Sequence, residues 1–193
     1  MALRTGEKLG PYELLAPLGA GGMGEVWKAR DTRLDRIVAL KVSKTEFSQR
    51  FEREARVIAS LNHPAICQLY DVGPDYLVME YLEGETLAAR LAKGALPLDQ
   101  ALAVGIQIAD ALDTAHRKAV VHRDLKPANI MLTKTGAKLL DFGLARIEPR
   151  IPEGDSTMTM GITNPGTVLG TFQYMAPEQV ERPSPLSKTG RLV

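Results

Sequence analysis

The chain has 193 residues, 45% hydrophobic and 24% charged, and its 24 Lys plus Arg against 23 Asp plus Glu leave a net charge of +1. That composition supplies enough apolar material for one core or two small lobes. It excludes a global field that would draw the chain to nucleic acid or an anionic membrane, so any anion must be held by a local site. The single cysteine, Cys67, excludes an internal disulfide framework and reads as a small core residue in a reducing compartment.

Residues Met1 to Glu7 lack the apolar centre of a signal peptide, and no run approaches the ~18 apolar residues of a membrane span. The expectation is a cytoplasmic protein without a membrane span.

In chain order, Tyr12-Glu13-Leu14-Leu15, Glu25 to Ala29 and Ile37 to Val42 read as short strands separated by turn signals, an antiparallel meander. From Ser48 to Leu61 the period becomes helical, with Phe51, Ala55, Ile58 and Leu61 on one face until Asn62-His63-Pro64 stops it. Two strand-like runs follow, Ala65 to Val72 and Tyr76 to Tyr81, joined by Gly73-Pro74-Asp75. Thr86 to Lys93 predicts a short helix, and Leu98 to Lys118 a long one. Ile130-Met131-Leu132 and Ala137 to Leu140 are short strand candidates. Residues 148–170 read as a long Thr-, Gly- and Pro-rich loop, and 181–193 as an unstructured polar tail. Strands first and helices afterwards predict an α+β protein of two lobes, 12–82 and 83–180, hinged near Met79 to Leu82.

Four stretches carry chemistry. Gly19-Ala20-Gly21-Gly22-Met23-Gly24-Glu25-Val26 has the glycine spacing of a backbone cradle for phosphate, although a plain hairpin turn or a dinucleotide loop shares that spacing. The continuation as a strand rather than a helix argues against the dinucleotide loop. Lys41 ends the apolar Val38-Ala39-Leu40, either an ordinary strand-end lysine or an ammonium within reach of phosphates. Glu54, on the next helix, is available to position it. His122-Arg123-Asp124-Leu125-Lys126-Pro127-Ala128-Asn129 is a charged loop between two apolar segments. There Asp124 can accept a hydroxyl proton, Lys126 can neutralise a transferring phosphoryl group, and Asn129 can ligate a divalent metal. Asp141-Phe142-Gly143 adds a carboxylate suited to Mg²⁺, though a bland turn explains that triplet equally well when taken alone.

Together with Ala176-Pro177-Glu178, these motifs stand in the order of the protein-kinase signature set, and the chain resembles a bacterial serine/threonine kinase of the eukaryotic-like type over roughly residues 10–180. The resemblance implies a two-lobed kinase-like fold. It implies that Leu18, Gly19, Ala20, Gly21, Gly22, Met23, Gly24 and Val26 would cover ATP, with Val26 and Ala39 above the adenine and Met131 below it. Lys41, paired with Glu54, would meet the α- and β-phosphates. Met79 would be the gatekeeper, and Glu80 to Leu82 a hinge whose backbone meets adenine. Asp124 would be the catalytic base, aided by Lys126 and Thr171, with Asn129 and Asp141 binding Mg²⁺. Ile58, Leu69, His122 and Phe142 would form a stacked spine linking the lobes.

The implied activity is transfer of the ATP γ-phosphoryl group to Ser or Thr hydroxyls of proteins. Autophosphorylation at Thr157, Thr159, Thr163 or Thr167, Thr163 and Thr167 foremost, would activate it through Arg123, with the self-association this entails. After Glu178 the sequence departs from the family, with no Asp-led helix in Gln179 to Lys188, so an incomplete helical lobe and marginal stability are expected. The Leu98–Lys118 helix carries an apolar arc of roughly 180°, wider than a one-sided helix needs. The rival reading is a truncated, non-catalytic nucleotide-binding or interaction fragment.

Overall fold

The computed structural model describes residues 3–21, 24–43, 47–142 and 174. Gly22, Met23, Thr171, the 148–170 loop, Ala176-Pro177-Glu178 and the 181–193 tail lie outside them.

The first strands form an antiparallel sheet whose pattern of alternation decides what faces the site. β1 (Lys8–Leu9), β2 (Tyr12–Gly21), β3 (Gly24–Asp31), β4 (Arg36–Val42), β5 (Leu69–Val72) and β6 (Tyr76–Glu80) lie in the order β1-β2-β3-β4-β6-β5. Along β4, Val38, Leu40 and Val42 are buried with Tyr12, Leu14, Trp27, Ala29 and Val78. The period of two therefore sends Ala39 and Lys41 to the opposite face. β2 runs well past Leu15, through the first glycines. It does so with register shifts between Leu14 and Ala16 and between Pro17 and Gly19, where Pro17, lacking an N–H, can be tolerated.

α1 (Gln49–Ala59) packs on the face that carries Lys41. Its cap is Ser48, whose hydroxyl accepts the Phe51 N–H at 3.2 Å. Phe51 and Ala55 are buried with Leu69 and Leu77. The helix ends earlier than its periodicity suggested, with Ser60 as its C-cap.

Two segments differ from the sequence expectation. Only Leu69–Val72 of the 65–72 run is a strand. Residues 65–67 instead form an isolated parallel bridge to Leu139, whose N–H donates to the Ala65 carbonyl and whose carbonyl accepts the Cys67 N–H, both at 2.8 Å. Their backbone groups are spent on a distant segment, which local pattern does not reveal. The second difference is β7 (Gly84–Thr86), which pairs with β8 (Ile130–Thr133) in a three-stranded sheet, β7-β8-β9, completed by β9 (Gly136–Leu139). No strand was expected there. Gly84 has φ +154°, and a Cβ there would run into the Leu132 carbonyl.

α2 (Leu87–Leu91) is capped by Thr86. α3 (Leu98–Arg117) buries Ile108, Ala111 and Ala115 in a second core with Leu61, Ile66, Ile130, Ala137, Leu139 and Phe142. Its other flank is open among the described residues: Leu98, Leu102 and Ile106 are 75%, 57% and 69% exposed.

Candidate active site

Strand register brings the glycine segment, the lysine and the hinge together. Gly19 pairs with Val26, Val26 with Lys41, Ala39 with Met79 and Val38 with Glu80. Residues far apart in sequence thus lie on adjacent strands, with the glycine hairpin and Lys41 toward one end of β3 and β4 and the hinge leaving β6 toward the other. The glycines there have different reasons to be glycine. Gly24 has φ +127° and a Cβ on it would strike the Val42 carbonyl, so the hairpin itself demands it. A Cβ on Gly19 would meet nothing within 4 Å, so packing does not demand that glycine.

The catalytic-loop residues are assembled around Asp124. A single 3₁₀ turn, Pro127–Asn129, follows Lys126 and folds the loop back. The Asp124 carboxylate receives Lys126 Nζ at 2.8 Å and Asn129 Nδ2 at 3.0 Å, both on Oδ2. Asn129 Nδ2 also donates to the Asp124 carbonyl at 2.8 Å, and Asn129 is buried. Its amide nitrogen is thereby committed to Asp124, and its Oδ1 remains the group able to meet a cation. The Asn129 carbonyl accepts the Leu140 N–H at 2.9 Å, so the loop is fastened one residue before Asp141.

His122 fixes the other side of this loop. It is 2% exposed, its Nε2 lies 2.9 Å from the Leu140 carbonyl, and its ring sits 4.8 Å from that of Phe142. Burial holds its pKa below the ordinary value, opposed by the hydrogen bond to Leu140 and by Asp124 and Asp141. The imidazole is therefore neutral near pH 7 and donates through Nε2. Ile58 packs on both cores, touching the cluster that holds Leu69 and the one that holds Phe142. Of the four expected spine residues, His122 and Phe142 are thus in direct ring contact, and Ile58 packs against the clusters of Phe142 and Leu69.

One expected pair is exchanged. Lys41 Nζ lies 2.9 Å from Asp141 Oδ2, while the Glu54 carboxylate lies 3.8 Å from Arg123 Nη1. The ion pair inferred between Lys41 and Glu54 is not the one present. Arg123 and Asp141 have φ of +63° and +50°, the left-handed region non-glycine residues seldom occupy. Those two turns aim a guanidinium at α1 and a carboxylate at β4. Sequence order offers one ammonium two acidic partners and no way to choose between them.

A divalent cation fits this donor set. Mg²⁺ takes oxygen ligands and uses one or two carboxylates beside phosphate oxygens and water. Asp141 and the Asn129 Oδ1 supply that number, and no group of three or more His, Cys, Asp or Glu residues suited to a tighter metal occurs among the described residues. Leu18, Ala20, Gly21, Met79, Leu82 and Met131 lie on or beside the paired strands described above; Gly22, Met23 and Thr171 fall outside the described residues. Sequence reasoning passed over Lys138. Its signal was the one that singled out Lys41, a lone charge in an apolar strand.

Known proteins match this chain in sequence and in fold. The protein kinase domain family matches residues 12–190. A probable serine/threonine-protein kinase of Streptomyces coelicolor is 46% identical over 95% of this chain, and serine/threonine-protein kinase PknA of Mycobacterium tuberculosis is 44% identical over 93%. The chain spans 29% and 44% of the lengths of these two relatives. The crystallised kinase domain of Mycobacterium tuberculosis PknI superposes with a TM-score of 0.69 at 36% identity, over 76% of this chain and 64% of that one. Fold, motif order and identity agree: the chain belongs to the protein kinase family, among its bacterial serine/threonine members.

Proposed function

We propose that this chain transfers the γ-phosphoryl group of ATP to serine and threonine hydroxyls of proteins. The observation that carries the proposal is the Asp124 carboxylate, held at Oδ2 by Lys126 and Asn129, with Oδ1 lacking a donor among the described residues. In the reaction, the substrate oxygen bonds to the γ-phosphorus and the β,γ-bridging P–O bond breaks, releasing ADP. Asp124 orients the hydroxyl and receives its proton. Lys126 lies beside that carboxylate and offsets negative charge on the phosphoryl oxygens. Asn129 and Asp141 would hold Mg²⁺, which supplies charge neutralisation across the β- and γ-phosphates when bound. Lys41 would meet the α- and β-phosphates, with the glycine hairpin above them and the 80–82 backbone at the adenine.

Within this reading, residues 12–82 and 83–180 form the two lobes, and a reducing cytoplasm suits the half-buried free thiol of Cys67. Phosphate on Thr163 or Thr167 would draw on Arg123, whose guanidinium already meets one anion, Glu54. Mass spectrometry of active protein is expected to find phosphate in the 157–167 segment; active protein without it would overturn this step.

The open flank of α3 favours a second reading, a nucleotide-binding or interaction module without transfer. Incubation with [γ-³²P]ATP, Mg²⁺ and mixed Ser-, Thr- and Tyr-containing peptides separates the two. Label on Ser and Thr is expected. ATP binding with no label on any hydroxyl would favour the module, and label on Tyr alone would contradict the specificity.

A further inference from the structure

Lys138 sits in the middle of β9, and the reaction described above gives it no part. Its side chain is 15% exposed, and its ammonium reaches both carboxylate oxygens of Glu80, at 2.8 and 2.7 Å. Glu80 closes β6 and opens the 80–82 segment that the kinase reading places against adenine. Its carboxylate also accepts the Gln68 N–H at 3.3 Å, and its own N–H donates to the Gln68 carbonyl at 2.9 Å. The thiol of Cys67 lies 3.6 Å from its carbonyl oxygen.

These contacts form a closed circuit. Cys67 donates its N–H to Leu139, the neighbour of Lys138, and Lys138 returns to Glu80. An exposed ion pair would hold little, because water and salt screen it. This pair is largely covered, bidentate and joins residues 58 apart in sequence. Removing its cation would leave the Glu80 carboxylate short of its main partner in a site with little water. The carboxylate would then turn outward to be solvated and would take the backbone of residue 80 with it.

We propose that Lys138 is a positioning residue for the nucleotide: through Glu80 it sets the hinge backbone that receives the adenine. The proposal rests on the kinase reading and adds to it a residue that touches neither ATP nor the reacting atoms. Preorganisation of this kind shows as affinity, since a loosened hinge must be ordered again on binding.

The test uses the full 193-residue chain and compares wild type with Lys138→Met and Lys138→Arg. Affinities for ATP and for adenosine are measured by titration, and KM for ATP and kcat by phosphotransfer. Lys138→Met is expected to weaken ATP and adenosine alike by about tenfold and to raise KM more than it lowers kcat. Lys138→Arg, which keeps a cation for Glu80, is expected to recover most of the affinity. A pair that only stabilises the fold would lower the folded fraction, reducing kcat and leaving KM in place. ATP affinity within about twofold of wild type in Lys138→Met, or ATP weakened with adenosine unchanged, would overturn the proposal. Should Lys138→Met fail to fold, Glu80→Gln carries the same comparison with the same thresholds. A wild-type chain that binds no ATP would sink the kinase reading itself, a different failure from normal binding that is indifferent to Lys138.

Discussion

Cys67 and Gly24 show how single residues here are constrained by what surrounds them. Burial is the main cause that pushes the Cys67 thiol up to about 12, with Glu80 adding to it. Below that pH the folded chain keeps a protonated thiol, whereas the unfolded chain ionises near 9.0. Stability from this group is therefore complete below pH 9 and declines as pH rises toward 12. Iodoacetamide at pH 8 is expected to label Cys67 more slowly in native than in denatured chain; equal rates would contradict its raised pKa. Gly24 is fixed by backbone geometry. Gly24→Ala must relieve both a positive φ and a clash with the Val42 carbonyl, a cost of roughly 2–4 kcal/mol. Gly19→Ala meets no such obstacle, so chemical denaturation should show it within about 1 kcal/mol of wild type while ATP affinity falls. That Asp124, Lys126 and Asn129 come together was legible from their sequence spacing. The partner of Lys41 was not, because two positive-φ residues decide it.

At the scale of elements, α3 offers two isoleucines two positions apart with opposite fates. Ile108 is 7% exposed in the core against β9, whereas Ile106 is 69% exposed on the open flank. Ile108→Ala is expected to cost about 2–5 kcal/mol through lost burial and the cavity left behind. Ile106→Ala is expected to stay within about 0.5 kcal/mol, as surface changes do. Equal losses at both would mean that the flank is covered in solution. The periodicity located α3 and α1 to within a few residues, since amphipathic spacing is strong over eleven or twenty residues. β1 and β7 escaped it: two or three residues carry no usable alternation, and their pairing partners are supplied by other parts of the chain. The 65–68 stretch misled for the same reason, as its apolar run suits a bridge to β9 as well as a strand.

For the whole molecule, three side-chain pairs among the described residues cross between the strand-rich first half and the helical second half at the site. They are Lys41 with Asp141, Glu54 with Arg123 and Glu80 with Lys138. Away from it, His63 meets Asp110 at 3.0 Å and Lys118 Nζ donates to the Ser60 carbonyl at 2.6 Å, joining the loop after α1 to α3. The two halves are thus joined by polar contacts as well as by the apolar cluster that unites Leu61 and Ile66 with α3 and β9. The overall α+β plan was readable because its motifs come in a fixed order; the cross-links were not, because they join residues tens of positions apart. The central claim is that Asp124 serves as the base for phosphoryl transfer from ATP. Its most direct test is the rate of ³²P transfer to a Ser/Thr peptide at saturating Mg-ATP, wild type against Asp124→Asn, with ATP affinity measured in parallel. The account predicts a fall of about 10²–10⁴ in rate with affinity changed by less than about threefold. A variant that transfers phosphate as fast as the wild type would contradict it.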